Sequence, residues 1–252
     1  MQLEGSVAVV TGAGSGLGAA TARHLAEHGA RVMLLDRNGD AAHAVAAGIG
    51  GTAHECDVTQ EADVASAMEA AAAMGPLRVA VSCAGIGTAG RVLGRDGPMA
   101  LGDFDRVIRV NLIGTFNVLR LAAAMMAETE PDADGQRGVI INTASVAAQD
   151  GQVGQAAYAA SKGGIVSMAL PAARELARFG IRVNTIAPGI FRTPLLESLP
   201  QEVRDGIIAT IPCPHRLGEP EEFARTVRFI IETDYLNAEV IRLDGGVRLP
   251  PR

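Results

Sequence analysis

Tyr158 and Lys162 stand four apart in the run Tyr158-Ala159-Ala160-Ser161-Lys162. On a helix that spacing puts both side chains on one face, about 6 Å apart along the axis. An ammonium then sits beside a phenol. A free tyrosine titrates near about pH 10 and is a poor proton shuttle at neutrality. A fixed positive charge favours the phenolate and lowers that pKa. The tuned phenol could exchange a proton with an alcohol or a ketone. The spacing alone also fits a solvated lysine next to a packed tyrosine. Its company sets it apart. The chain has only two tyrosines, and Ser145 follows the apolar run Gly138-Val139-Ile140-Ile141-Asn142-Thr143 thirteen residues upstream.

A second group of residues suits a phosphate. Thr11-Gly12-Ala13-Gly14-Ser15-Gly16-Leu17-Gly18 joins an apolar run to a helical one. Glycines let backbone amides approach a pyrophosphate, and a helix N-terminus adds partial positive charge. Gly12, Ser15, Gly16, Leu17 and Gly18 are therefore expected against a dinucleotide. Eighteen residues past Gly18 comes Asp36. A carboxylate there accepts hydrogen bonds from both ribose hydroxyls and repels a 2′-phosphate, which points to NAD. Arg37 next door either pairs with such a phosphate or is a solvated charge. Asp57, before Val58 and Thr59, either meets the adenine or caps a turn.

Alternating strand and helix patterns must position these groups. Strands are expected at Ser6–Thr11, Arg31–Asp36, Thr52–Cys56, Val79–Ser82, Gly138–Thr143, Arg182–Ile186 and Glu239–Leu243. Helices are expected at Leu17–His28, Asp40–Ile49, Gln60–Met74 (capped by Thr59), Leu101–Ala127, Val153–Phe179 and Glu219–Glu232. Pro171 removes a backbone donor within one of them and is expected to kink it. Near-continuous apolar strands separated by helices imply an α/β fold, a parallel sheet covered on both faces. No linker or repeat divides residues 1–252, so a single domain is expected. Glu128–Gly138 and the Pro- and Gly-rich Pro188–Pro220 read as long loops, a class that is usually functional or mobile; the second is expected to hold a short helix near Glu202–Ala209.

Composition excludes other classes. A net charge of −6, no tryptophan and few aromatics disfavour nucleic-acid binding. No uninterrupted apolar stretch reaches the eighteen or so residues of a membrane span, and no membrane association is expected. The N-terminus lacks a signal-peptide pattern. Cys56, Cys83 and Cys213 are odd in number and scattered, which fits a reducing cytoplasm rather than a disulfide or zinc framework. His24, His28, His43, His54 and His215 show no ligand spacing that compels a metal, and none is expected. His24 and His28, four apart, read as solvated helix residues.

The matching pieces together resemble the short-chain dehydrogenase/reductase family over essentially the whole chain. They are Thr11–Gly18, Asp57, Ser82-Cys83-Ala84-Gly85, Asn111, Ser145, Tyr158–Lys162, Pro188-Gly189 and Thr193. Gln136–Ala157, Gly163–Pro171, Ile186–Leu196 and Val240–Gly245 look most like its type-II 3-hydroxyacyl-CoA dehydrogenases, also called type-10 17β-hydroxysteroid dehydrogenases. The resemblance implies a doubly wound Rossmann sheet of seven mostly parallel strands, NAD as cofactor, an acyl-CoA substrate and a homotetramer. It implies Tyr158 as acid/base, and Lys162 as its tuner and a ribose ligand. Ser145 would hold the substrate oxygen, and Asn111 would anchor a relay water. Asp57, Val58, Cys83, Ala84 and Gly85 would border the cofactor, and Pro188, Ile190 and Thr193 would line the nicotinamide pocket, with Phe191 nearby as a cofactor neighbour. Gln152 and Gln155 meet the substrate or merely brace their loop. Ser82 departs from the family's asparagine, which puts a sheet-bracing hydrogen bond in doubt. Two rival readings are a hydroxysteroid or other secondary-alcohol dehydrogenase, and a catalytically silent nucleotide-binding scaffold. For a CoA ester, Arg91, Arg95, Arg192, Arg204 and Arg216 are phosphate-binding candidates, with Arg192 foremost.

Overall fold

Every residue of Val7–Thr11 is buried, as expected of a strand with helices over both faces. In the computed structural model, which describes residues 1–87, 89–193, 196 and 200–251, this run is β1. Six further strands join it. They are β2 (Arg31–Asp36), β3 (Thr52–Glu55), β4 (Leu77–Ser82), β7 (Gly138–Thr143), β8 (Ile181–Pro188) and β9 (Val240–Leu243). The sheet order is β3-β2-β1-β4-β7-β8-β9, and every pairing is parallel. The order reverses between β1 and β4, so a crevice opens there at the carboxyl edge. Each expected sheet strand is found. The sequence reading did not anticipate a small hairpin, β5 (Leu93–Gly94) with β6 (Gly97–Pro98).

Side chains alternate between two cores. Val10, Leu34, Val81 and Ile141 pack with Leu25 of α1 (Gly16–Glu27), Val45 of α2 (Gly39–Ala47) and Phe223 of α8 (Pro220–Glu232). Val9, Met33, Ala80 and Ile140 pack with Met68 of α3 (Glu61–Met74), Val118 of α5 (Gly114–Ala127) and Ala173 of α6 (Ala156–Leu176). The expected long helix at Leu101–Ala127 is continuous but not regular. It comprises α4 (Leu101–Ile108), a π-helical turn (Arg109–Ile113) and α5. By length and composition this run also suits a membrane span, which a search for uninterrupted apolar residues does not register. Half of its most apolar window is buried against the protein itself.

Several expectations are corrected. The Tyr158 helix begins at Ala156 rather than Val153, runs on through Pro171 to Leu176, and ends in a short 3₁₀ turn. Thr59 does not cap α3. Gln60 precedes it, and the Thr59 hydroxyl and N–H both donate to Asp57 Oδ1. The 188–220 segment has a core of its own. Ile211, Leu217 and Val247 are buried there against Ile190 and Leu196, and α7 (Gln201–Ile208) lies within it. Its base is closed by Gly218 N–H to the Ile190 carbonyl and Arg192 N–H to the Gly218 carbonyl. Pro194 and Leu195, part of the stretch resembling the family, lie outside the described residues. Residues past β9 do not project. Val153 N–H and the Gln152 side-chain amide donate to the Pro251 and Pro250 carbonyls, so the tail folds back on the loop before α6.

Candidate active site

The glycine-rich turn meets the crevice because it ends β1. Gly12 has φ +63°, and a Cβ on it would stand 2.8 Å from the Ala84 nitrogen. A Cβ on Gly18 would stand 2.2 Å from the Gly12 carbonyl oxygen. Only glycine allows the turn to close on β4 and on its own helix. Ser15 precedes α1 in an extended conformation, and its side chain makes no capping bond. The first-turn N–H groups of α1 are thus left for an anion. Asp36 ends β2 against this turn and accepts from Gly14 N–H at 2.9 Å and Asn38 N–H at 2.8 Å. Arg37 is exposed. These residues fit a dinucleotide: bare backbone where pyrophosphate would lie, and a carboxylate where a ribose would end. Thr11, not singled out from the sequence as an individual residue, braces the turn by accepting from Ala84 N–H at 3.1 Å.

The proton-handling residues converge at the ends of β7 and α6. Lys162 is 5% exposed, and its Nζ donates to the Thr143 carbonyl at 2.7 Å. It lies 5.7 Å from the centre of the Tyr158 ring. Burial pulls the lysine down to about 8, partly offset by Cys83. Tyr158 departs from expectation. Burial pushes its phenol above its ordinary value, while the hydrogen bond with Ser145 pulls the other way. Desolvation exceeds the bonding here. Ser145 Oγ also accepts from Ala147 N–H at 3.1 Å.

Asn111 is fully buried in the π-helical turn. Its Oδ1 accepts from Ile86 N–H at 2.8 Å, and its Nδ2 donates to the Ile86 carbonyl at 2.9 Å and to Ser161 Oγ at 3.0 Å. Its own carbonyl accepts from Thr115 Oγ1 at 2.6 Å. The side chain therefore clamps the segment after β4 to α6. A Cβ on Gly85 would stand 3.2 Å from Asn111 Oδ1 and 3.6 Å from Lys162 Nζ. Cys83 Sγ accepts from Thr143 Oγ1 at 3.7 Å, and burial pushes its thiol up to about 11. Ser82 Oγ is buried with no hydrogen-bond partner among the described residues, as its departure from asparagine anticipated.

Other expected residues divide. Thr193 faces the glycine turn, 4.0 Å from a Cβ placed on Gly16. Pro188 ends β8 and Ile190 follows the edge. The Phe191 ring is buried in the core, edge-on to Phe223 at 6.4 Å. Asp57 is engaged in the turn with Thr59, and Val58 packs in the core, its Cγ2 2.6 Å from a Cβ placed on Gly114. Gln152 and Gln155 bond to each other at 3.1 and 3.3 Å. They also line a cavity of about 460 Å³ with Arg91, Val92, Leu93 and Ala159. Arg192, foremost in the sequence reading, holds Glu219 with bonds of 3.0 to 3.2 Å. Arg216 holds Glu222. Arg91 instead stands exposed at the cavity.

Arg242 was missed. It reaches from β9 to Gln149 at 2.6 Å, Asp150 at 2.7 Å and Asp244 at 2.9 Å. It thereby fixes the loop between Ser145 and Tyr158, and its side-chain hydrogen bond holds the Asp150 carboxyl below its usual range. Its position inside Val240–Gly245 was the only signal for it in the sequence.

A glycine turn at an uncapped helix, a carboxylate ending β2, and a Ser–Tyr–Lys group across the same edge define a dinucleotide-dependent oxidoreductase site. The chain belongs to the short chain dehydrogenase family, whose pattern residues 6–204 match. It is 54% identical over 254 residues to the 3-hydroxyacyl-CoA dehydrogenase type-2 of Bos taurus, covering 99% of this chain and 97% of the relative. The crystal structure of 3-hydroxyacyl-CoA dehydrogenase type-2 from Mycobacterium avium superposes with a TM-score of 0.96 at 44% identity, covering 98% of both chains. A 7α-hydroxysteroid dehydrogenase complexed with NADH and 7-oxo glycochenodeoxycholic acid superposes with a TM-score of 0.89 at 30% identity, covering 100% of this chain and 97% of that one.

The buried lysine yields a prediction with a defined sign. Its folded pKa of about 8 lies below its ordinary 10.5. Below pH 8 both states carry the charge, and the folded state bears the desolvation penalty. That penalty is relieved as pH rises from about 8 to 10.5, where the unfolded chain binds more protons. Lys162→Met is expected to abolish turnover yet melt higher than wild type at pH 7, with the gap closing towards pH 10.5. Melting curves across that window check it, and a variant less stable at pH 7 than at pH 10 relative to wild type overturns it.

Proposed function

We propose that this chain is an NAD-dependent 3-hydroxyacyl-CoA dehydrogenase that interconverts a 3-hydroxyacyl-CoA and the 3-ketoacyl-CoA. The observation that carries the reading is the meeting of Ser145, Tyr158 and Lys162 at the crevice whose other wall is the glycine turn. NAD(H) supplies the hydride chemistry when bound. The chain's own residues bind, orient and move the proton. First-turn amides of α1 hold the pyrophosphate, and Asp36 disfavours a 2′-phosphate. Ser145 Oγ accepts from Ala147 N–H and hydrogen-bonds Tyr158; with substrate bound, its hydroxyl proton turns to the substrate oxygen where negative charge develops. Tyr158 takes the alcohol proton during oxidation and returns it during reduction. Its raised pKa makes it a ready acid for reduction and favours oxidation at higher pH. Lys162 holds the nicotinamide ribose, and Asn111 shapes the relay beside it.

The substrate class rests on the relatives' activity and on the apolar cavity beside Gln152 and Gln155, with Arg91 at its rim for a CoA phosphate. The similarity to a hydroxysteroid dehydrogenase supports a steroid as the second reading. A homotetramer belongs to the same proposal. Ile113 of the π-helical turn, Phe116 of α5 and Leu170 of α6 are 45%, 49% and 43% exposed, an apolar surface that a partner chain would cover. So does a cytoplasmic location, since all three cysteines are unpaired.

Tyr158→Phe removes one hydroxyl and keeps the ring. Steady-state kinetics are expected to lose about 10²- to 10⁴-fold in turnover, with NADH affinity nearly intact; near-normal turnover would sink the mechanism. Arg91→Ala is expected to raise the Michaelis constant for acetoacetyl-CoA, less so for an uncharged ketone, with little change in turnover, because a remote phosphate contact binds ground and transition states alike. Unchanged CoA-ester kinetics alongside good steroid turnover shift the assignment to the steroid. Light scattering is expected to report four chains per particle, and a monomer at working concentration refutes the assembly.

A further inference from the structure

The last turn of α1 and the residue that closes it present His24, Glu27 and His28 at i, i+3 and i+4. One ligand-capable atom from each lies within 4.8 Å of the other two. The imidazole rings are 4.4 Å apart, and His24 Nδ1 is 3.9 Å from Glu27 Oε2. His28 Nδ1 lies 2.7 Å from the His24 carbonyl. A carbonyl only accepts, so this nitrogen carries the proton and Nε2 keeps its lone pair. Metal-bound histidines are commonly oriented by such a bond to a backbone carbonyl. His24 is not the solvated residue that sequence suggests. Its side chain is 17% exposed, and its Nε2 is buried with no hydrogen-bond partner among the described residues.

We propose that His24, Glu27 and His28 form a surface site for a borderline divalent transition metal, zinc foremost, with water as the fourth ligand. Two imidazoles and a carboxylate are a donor set zinc accepts, whereas magnesium and calcium require oxygen donors. Two histidines four apart on a helix face a common metal. Tetrahedral zinc with bonds of about 2.0–2.2 Å sets its ligands about 3.4 Å apart. The group must therefore contract slightly, which the 69% exposed Glu27 side chain permits by rotation. Arg225 and Arg228 of α8 act on His24 from across the interface. Each already shares a carboxylate, Glu222 at 4.0 Å and Glu232 at 2.7 Å, so they moderate the affinity without occupying the site. The bound ion staples the end of the helix whose beginning faces the cofactor, and so stabilises the native state by linkage.

The test uses the full chain stripped by a chelator, with zinc chloride alone as the probe. Calorimetry is expected to show one zinc per chain and a higher melting temperature, with no response to magnesium. His28→Gln and Glu27→Gln are each expected to weaken zinc binding at least about tenfold, or one decade in dissociation constant, and to remove the thermal shift. NADH affinity stays at the wild-type level and reports that both variants are folded. His24→Gln adds a third arm, but the two more exposed positions suffice if its buried site does not tolerate the change. Wild type that binds no zinc overturns the proposal. So do variants that bind zinc like wild type, which would place the ion elsewhere, for example near the exposed Cys213.

Discussion

A single buried ammonium constrains this site. Lys162 donates to the carbonyl of Thr143 at the end of β7. Placing a charged amine there is unfavourable unless its protons find acceptors. The arrangement survives because neighbouring elements give it no room to leave. Thr143 is tied to Cys83 at the end of β4, a Cβ on Gly85 would crowd Asn111 Oδ1 at 3.2 Å, and Asn111 locks α6 to the segment that carries Gly85. The parallel sheet supplies the common edge at which all these chain segments arrive. Function is thus built on a locally unfavourable choice, held by packing that is favourable elsewhere.

A further cost lies just beneath. Ser82, Asn142 and Thr185 stand side by side on β4, β7 and β8, in direct register. The side-chain polar atoms Ser82 Oγ, Asn142 Nδ2 and Oδ1, and Thr185 Oγ1 are buried without partners among the described residues. Each such orphan typically costs about 1–3 kcal/mol.

What the sequence disclosed follows from local spacing. Tyr158, Lys162, Ser145, the glycine turn and Asp36 each depend on a helix or strand ending at a certain residue, and periodicity reports that directly. What it concealed depends on partners far along the chain. The amide of Asn111 is committed to Ile86 and Ser161, and no local pattern announces this. The Phe191 ring packs edge-on to Phe223, a partner 32 residues away that no local pattern indicates. Arg192 looked available for phosphate until Glu219 came beside it. The direction of the Tyr158 shift was misread for the same reason. Spacing reveals that a lysine is near, but not that its amine points to a backbone carbonyl while the ring is desolvated.

The π-helical turn at Arg109–Ile113 bears on how this chain tolerates insertion and deletion. Such a turn amounts to one extra residue in an α-helix. Removing a residue there would restore a regular helix and improve its local hydrogen bonding. It would also take out the widened turn that places Asn111. Asn111 would then lose the backbone position from which it reaches Ile86 and Ser161. The most regular version of this helix is thus the one that dismantles the site, and gap placement in this stretch is as constrained as residue identity.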